Sequence, residues 1–215
     1  MKRILTILIL LSSLSASAQD GLSQLSGHEA GIAVGDMFFE TVIWHNQVHK
    51  DYSALPDGVT GLEDTGFIYT PHISAEYAYT PLPWLSVGLV CDFQNTSWIR
   101  SFYDNKDRVV KSQKENFHNL CILPKLRFNF LNWQHVGLYA SFAAGIDING
   151  GSQENDFGKR TMAGAAVDLR FLGIRAGSGH YWGFADFGGM VALKSPNAIF
   201  LFGSQLARAG FTYKF

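Results

Sequence analysis

Three sets of side chains in this 215-residue chain have types and spacings suited to chemistry. His45 and His49 stand four apart with Asp51 close behind; on a helix over residues 36–49, started by Asp36 as its cap, the two imidazoles would share one face and offer a metal its first ligands. The pattern lacks further ligands at defined spacing, so no metal and no other cofactor is expected. His72 and Ser74 are the second set, two members of a hydrolytic triad in search of a carboxylate. The third is a scatter of ionisable residues: Glu76, Asp92, Lys125, Arg127, Asp147, Asp168, Arg170, Asp186, Arg208 and Lys214. No glycine-rich phosphate loop, CxxC pair or HExxH helix accompanies them.

What these groups can do depends on the elements that hold them, and the chain alternates. Between Phe117 and Phe130, His118, Leu120, Ile122, Pro124, Leu126, Phe128 and Phe130 fall on one face, while Asn119, Cys121, Leu123, Lys125, Arg127 and Asn129 fall on the other. That is the period of a strand; a helix would scatter them round its circumference. Val136 to Ile148 repeats the pattern. The same test predicts eight strands, at 29–37, 65–80, 84–98, 116–131, 135–148, 160–176, 181–192 and 201–215. Their connections alternate between long and polar (37–64, 99–115, 149–159, 193–200) and tight, as at Pro81-Leu82-Pro83, Asn132-Trp133-Gln134 and Gly177-Ser178-Gly179-His180. Long loops at one end and short turns at the other is the layout of a transmembrane up-and-down antiparallel β-barrel.

Composition agrees. Charged residues are only 16 % of the chain, aromatics 14 %, and there are 22 glycines, which is too apolar for disorder. Met1-Lys2-Arg3, the apolar run from Ile4 to Leu11 and Ala16-Ser17-Ala18 read as a secretory signal peptide cleaved after residue 18, leaving residues 19–215 as one barrel domain. Loss of Lys2 and Arg3 takes the formal charge from −1 to −3, which argues against a nucleic-acid partner. Over eight strands the remaining 197 residues allow about 25 per strand and connection, enough for a 9–11-residue span. Sixteen strands do not fit; ten would need a short hairpin hidden within 37–64.

The chain ends Phe211-Thr212-Tyr213-Lys214-Phe215, three aromatics on one face with a terminal phenylalanine. This resembles the last strand of bacterial outer-membrane barrels, and the resemblance implies that Phe211, Tyr213 and Phe215 are read by the barrel assembly machinery. Glu76-Tyr77-Ala78-Tyr79 with Trp84-Leu85-Ser86-Val87-Gly88, and Leu172-Gly173-Ile174-Arg175 with Tyr181-Trp182-Gly183-Phe184-Ala185-Asp186-Phe187-Gly188, look like the small barrel proteins of Bacteroidetes outer membranes. The likeness implies a fold and a location, the outer membrane of a Gram-negative bacterium with its lipid as partner.

With the apolar faces turned to lipid, the ten ionisable residues point inward, five acids against five bases. Glu76, Asp92, Lys125, Arg127, Asp168, Arg170, Asp186 and Arg208 lie within about five to eight residues of the nearest turn or chain end and are expected at similar heights, as one ring of four acids and four bases. An eight-stranded barrel has an interior that side chains just fill. Paired charges there make a polar plug, so the expected protein is a structural or surface-interaction module without an open pore. His72 and Ser74 share the inward parity of Glu76, so a lipid-modifying enzyme of the deacylase kind lacks a site on the lipid side. A narrow gated channel and a soluble secreted barrel carrying an apolar ligand are the rival readings. Cys91 and Cys121 sit on opposite faces of adjacent strands, which forbids a disulfide. The long 37–64 connection, with Phe38, Phe39, Ile43 and Trp44, is the expected surface-contact loop; its partner is not written in the sequence.

Overall fold

A computed structural model of the protein describes residues 27–36, 61–153, 160–193 and 205–215. Every regular element among them is a strand: β1 (Gly27–Gly35), β2 (Gly61–Tyr69), β3 (His72–Leu82), β4 (Leu85–Tyr103), β5 (Val109–Asn132), β6 (Val136–Gln153), β7 (Arg160–Ser178), β8 (Tyr181–Leu193) and β9 (Gln205–Lys214). All neighbours pair antiparallel. β3 through β9 follow one another round the ring except that β1 is inserted between β3 and β9, with Ala30 opposite Tyr77 on one side and Tyr213 on the other. The sheet therefore closes on itself.

The nine strands make eight staves. β2 and β3 are two parts of one stave, both paired to β4: Tyr69 lies opposite Thr96 and Ile73 opposite Phe93. The stave breaks at Thr70-Pro71 because proline has no N–H to give the ladder. Thr70 carries the pairing across the gap, its N–H and its hydroxyl both donating to the Asn95 carbonyl at 2.9 Å while the Asn95 N–H donates back to the hydroxyl oxygen. The barrel is thus eight-stranded, and residues 61–69 extend a stave instead of forming an extra hairpin.

One expected loop is not a loop. Residues 99–115 were expected as a long polar connection, yet β4 and β5 stay paired out to Tyr103 and Val109. Only Asp104–Arg108 turn the chain, with Asp107 at a left-handed φ of 53° and the Asp104 N–H donating to the Arg108 carbonyl. On β5, Lys111, Ser112 and Lys114 are all exposed, so this end of the strand has water on both faces and nothing selects an apolar–polar alternation there, although Ser101 and Phe102 opposite on β4 are buried. Strand without alternation reads as loop. β6 likewise continues past residue 148 to Gln153.

At the opposite end the turns are short. Pro83-Trp84 joins β3 to β4, Trp133–His135 joins β5 to β6, and Gly179-His180 joins β7 to β8, with Gly179 at φ +57° where a side chain would be strained. Asp36, the expected helix cap, is described: its Oδ2 accepts the Leu206 and Ala207 N–H groups and ties the end of β1 to β9. The rest of the expected 36–49 helix, His45, His49 and Asp51, and the surface-contact residues Phe38, Phe39, Ile43 and Trp44, lie outside the described residues.

Candidate functional site: the barrel lumen

Side chains alternate round the wall with charge inside and hydrocarbon outside. Arg170 and Asp186 are 0 % exposed, whereas Phe171 is 68 % and Phe211 72 % exposed. Of the ten ionisable residues assigned inward by sequence, Glu76, Asp92, Lys125, Arg127, Asp147, Asp168, Arg170, Asp186 and Arg208 are buried within the barrel, and Lys214 lies half-buried at the turn end. They do not form one ring.

Nearest the turns, Glu29 of β1 pairs with Arg127 of β5, and Arg175 of β7 stands 3.7 Å from the same carboxylate. Arg127 also donates to the Ser86 hydroxyl at 3.1 Å and lies over the Tyr139 ring, while Arg175 donates to the Asn132 side-chain oxygen at 2.9 Å and lies over Trp182. One step further in, Lys125 donates to Glu76 at 3.0 Å, and Arg208 bridges Glu76 at 3.4 Å to Asp186, which it grips through Nε and Nη2 at 2.9 Å. The Tyr139 hydroxyl donates to Asp186 at 2.9 Å, and Arg170 reaches Asp168 at 2.6 Å. Each of these charges has an opposite charge within 4 Å, on another strand or from a near neighbour, as buried charge requires.

Asp92 and Asp147 belong elsewhere. Asp92 is bonded to His72 Nδ1 at 2.6 Å and accepts the Gln205 amide at 3.1 Å. Asp147 accepts the Cys121 thiol at 3.5 Å. Cross-strand register puts Asp92, Cys121 and Asp147 in one row over β4, β5 and β6, on the loop side of the larger network. Between the two polar groups lie Val90, Leu123, Ala143, Ala166 and Met190, buried residues that form one cluster with Cys121.

Sequence reasoning missed Glu29, Arg175 and this apolar cluster. Glu29 was legible, since Glu29, Gly31, Ala33 and Gly35 alternate with Ala30, Ile32 and Val34. Arg175 was not, because strict alternation from Arg170 sends it outward. A bulge at Phe171 shifts the register between Arg170 and Leu172, leaves both Phe171 and Leu172 outside, and swings Gly173 and Arg175 in. The missed residues are one acid and one base, so the charge balance survives. Phe171-Leu172, two adjacent apolar residues in an alternating strand, was the signal.

His72 and Ser74 are buried in the lumen, away from the outer face. Cys121 is buried there too, while Cys91 is half-buried on the other side of the sheet. Phe211, Tyr213 and Phe215 all point outward on β9 and beyond it, where Tyr213 stacks on His180 at 5.4 Å and on Phe215 at 6.1 Å. With Trp84, Trp133, Tyr79 and Tyr181 they gird the turn end of the barrel with exposed aromatics.

No family profile and no curated protein matches the chain. Among solved structures, it is similar to the N-terminal β-barrel domain of Pseudomonas aeruginosa OprF, with a TM-score of 0.42 and 12 % identity over 88 % of this chain and 98 % of that one. It is also similar to Ail, the attachment invasion locus protein of Yersinia pestis, with a TM-score of 0.42 and 14 % identity over 89 % of this chain and 100 % of Ail. Ail in complex with the heparin analogue sucrose octasulfate gives 0.40 at 14 % identity over the same shares. Likeness at this level carries nothing about activity. The closed strand pairing stands without it.

Proposed function

We propose that this protein is an integral outer-membrane β-barrel of a Gram-negative bacterium, a scaffold with a plugged lumen that presents its long connections as a surface-interaction module. The observation that carries the proposal is the reversal of polarity, with charge in the lumen and hydrocarbon on the outer wall. A contiguous apolar belt of this extent in water drives aggregation, whereas in a bilayer it is the solvated face. The turn-side aromatic girdle supports the same reading, since amphipathic rings collect where hydrocarbon meets water.

A soluble carrier of apolar ligands needs the opposite arrangement, an apolar cavity and a charged exterior. The paired charges of the lumen favour a plug over an open pore, and the burial of His72 and Ser74 favours a scaffold over a lipid-modifying enzyme. Kinship with the small barrels of Bacteroidetes, and recognition of Phe211, Tyr213 and Phe215 by the assembly machinery, rest on the sequence motifs and complete the proposal. The test is direct: the protein should pellet with outer membranes, migrate on gels in a heat-modifiable way, and show no steady conductance in planar bilayers. Recovery in the soluble periplasmic fraction overturns the membrane assignment; a stable open conductance overturns the plug.

A further inference from the structure

The lumen is layered. Read from the turn end, the inward residues of β4 run Ser86, Val90, Asp92 and Gln94; those of β5 run Arg127, Lys125, Leu123, Cys121 and Asn119; those of β6 run Ser141, Ala143 and Asp147. On three consecutive staves the order is polar, apolar, polar. Ala166 of β7 follows Asp168, and Met190 of β8 follows Asp186. Val90, Leu123, Ala143, Ala166 and Met190 are each at most 2 % exposed and pack as one cluster. Directly above them the Gln205 amide spans from Met190 Sδ, at 3.6 Å, to the Asp92 carboxylate.

We propose that this apolar layer, a septum of Val90, Leu123, Ala143, Ala166 and Met190, is what bars water and ions from crossing the barrel, and that the charge network beneath it is a structural tie and not the barrier. The inference rests on the plugged-lumen reading and names the residues that make the plug tight. A charged layer offers each water the two to four polar partners that it needs; a close-packed hydrocarbon layer offers none. Apolar constrictions exclude water by dewetting even where there is some room, and here there is very little. Cys121, buried at the loop-side margin of the septum between Asp92 and Asp147, is a built-in reporter of access.

The experiment uses the full chain in planar bilayers and in proteoliposomes, with Cys91→Ser leaving Cys121 as the sole thiol. The septum variant is Leu123→Ser with Met190→Ser; the network variant is Glu76→Gln with Lys125→Met, which removes the ion pairs of Glu76 with Lys125 and Arg208 and nearly keeps the volume. Heat-modifiable migration identifies the preparations that are folded. The septum variant should conduct, and its Cys121 should react with a small charged methanethiosulfonate at least about tenfold faster than in the parent, while the network variant stays silent and unreactive. If the septum variant does not fold, the milder Leu123→Ala alone is read by thiol modification, with the same direction expected. Opening of the network variant beside a silent septum variant overturns the inference, as does a folded Leu123→Ala variant with Cys121 no more reactive than the parent. Steady conductance in the unaltered protein is a different result: it overturns the plugged lumen itself.

Discussion

Glu29 and Arg127 form an ion pair between strands that do not touch, β1 and β5, separated round the wall by the β3 and β4 staves. Such a chord braces the barrel across its bore. Arg127→Leu leaves the buried Glu29 with Arg175 at 3.7 Å as its remaining ion-pair partner among the described residues, and should destabilise the fold by about 3–5 kcal/mol. Combining it with Glu29→Gln removes the stranded charge while leaving an acceptor near Arg175, and should restore most of that loss. Urea unfolding in lipid vesicles measures both; a double variant as unstable as the single one contradicts the pairing.

Gly173 sits opposite Tyr139, and a Cβ added at Gly173 would come within 2.2 Å of the phenol ring. The ring lies across the glycine to deliver its hydroxyl to Asp186. Gly173→Ala should therefore cost about 1–3 kcal/mol by pushing the ring off its site. In a Tyr139→Ala background the penalty should largely vanish, and an unchanged penalty there would show that the glycine serves its own backbone instead.

Arginine placed at Leu126, Phe142 or Leu169, all exposed on the outer wall, should cost about 2–4 kcal/mol for folding into vesicles if these positions face the bilayer midplane. Ser112→Arg, exposed on the projecting end of β5, should cost close to nothing. Equal costs at the two depths would contradict the embedding.

Asp104 closes the β4–β5 hairpin. The Arg108 backbone N–H, the Arg108 guanidinium and the Lys106 N–H all donate to its carboxylate and hold its pKa below the ordinary aspartate range. A depressed carboxyl stabilises the turn above its unfolded pKa, and that contribution is lost as pH falls through the folded value. Amide exchange at Lys106 and Arg108 should thus lose protection on acidification in the parent but not in Asp104→Ala, where protection is low throughout. A pH-independent parent would contradict the cap.

The alternation of Phe117–Phe130 and Val136–Ile148 was enough to place Lys125, Arg127 and Asp147 inward, because a strand wall with hydrocarbon on one side writes its faces into the sequence. Arg175 was hidden because one inserted residue, Phe171, changes the parity of everything after it on β7. The projecting end of β5 was hidden for the opposite reason: with both faces wet, Lys111, Ser112 and Lys114 carry no pattern at all. The division of the lumen into tiers was also illegible. It depends on which inward residues of different staves share a height, and stagger between strands decides that.

Whether the barrel sits in a bilayer with its lumen sealed from lipid is read directly by mapping which side chains touch acyl chains. The purified protein, reconstituted in vesicles whose acyl chains carry a photoactivated diazirine, is irradiated, and the adducts are located by mass spectrometry. Adducts are expected at outer-wall residues such as Ile73, Leu89, Leu126, Phe142, Leu169 and Phe187, with none at Ser141, Arg170 or Asp186. Labelling of those lumen residues, or an unlabelled outer wall, would contradict that placement.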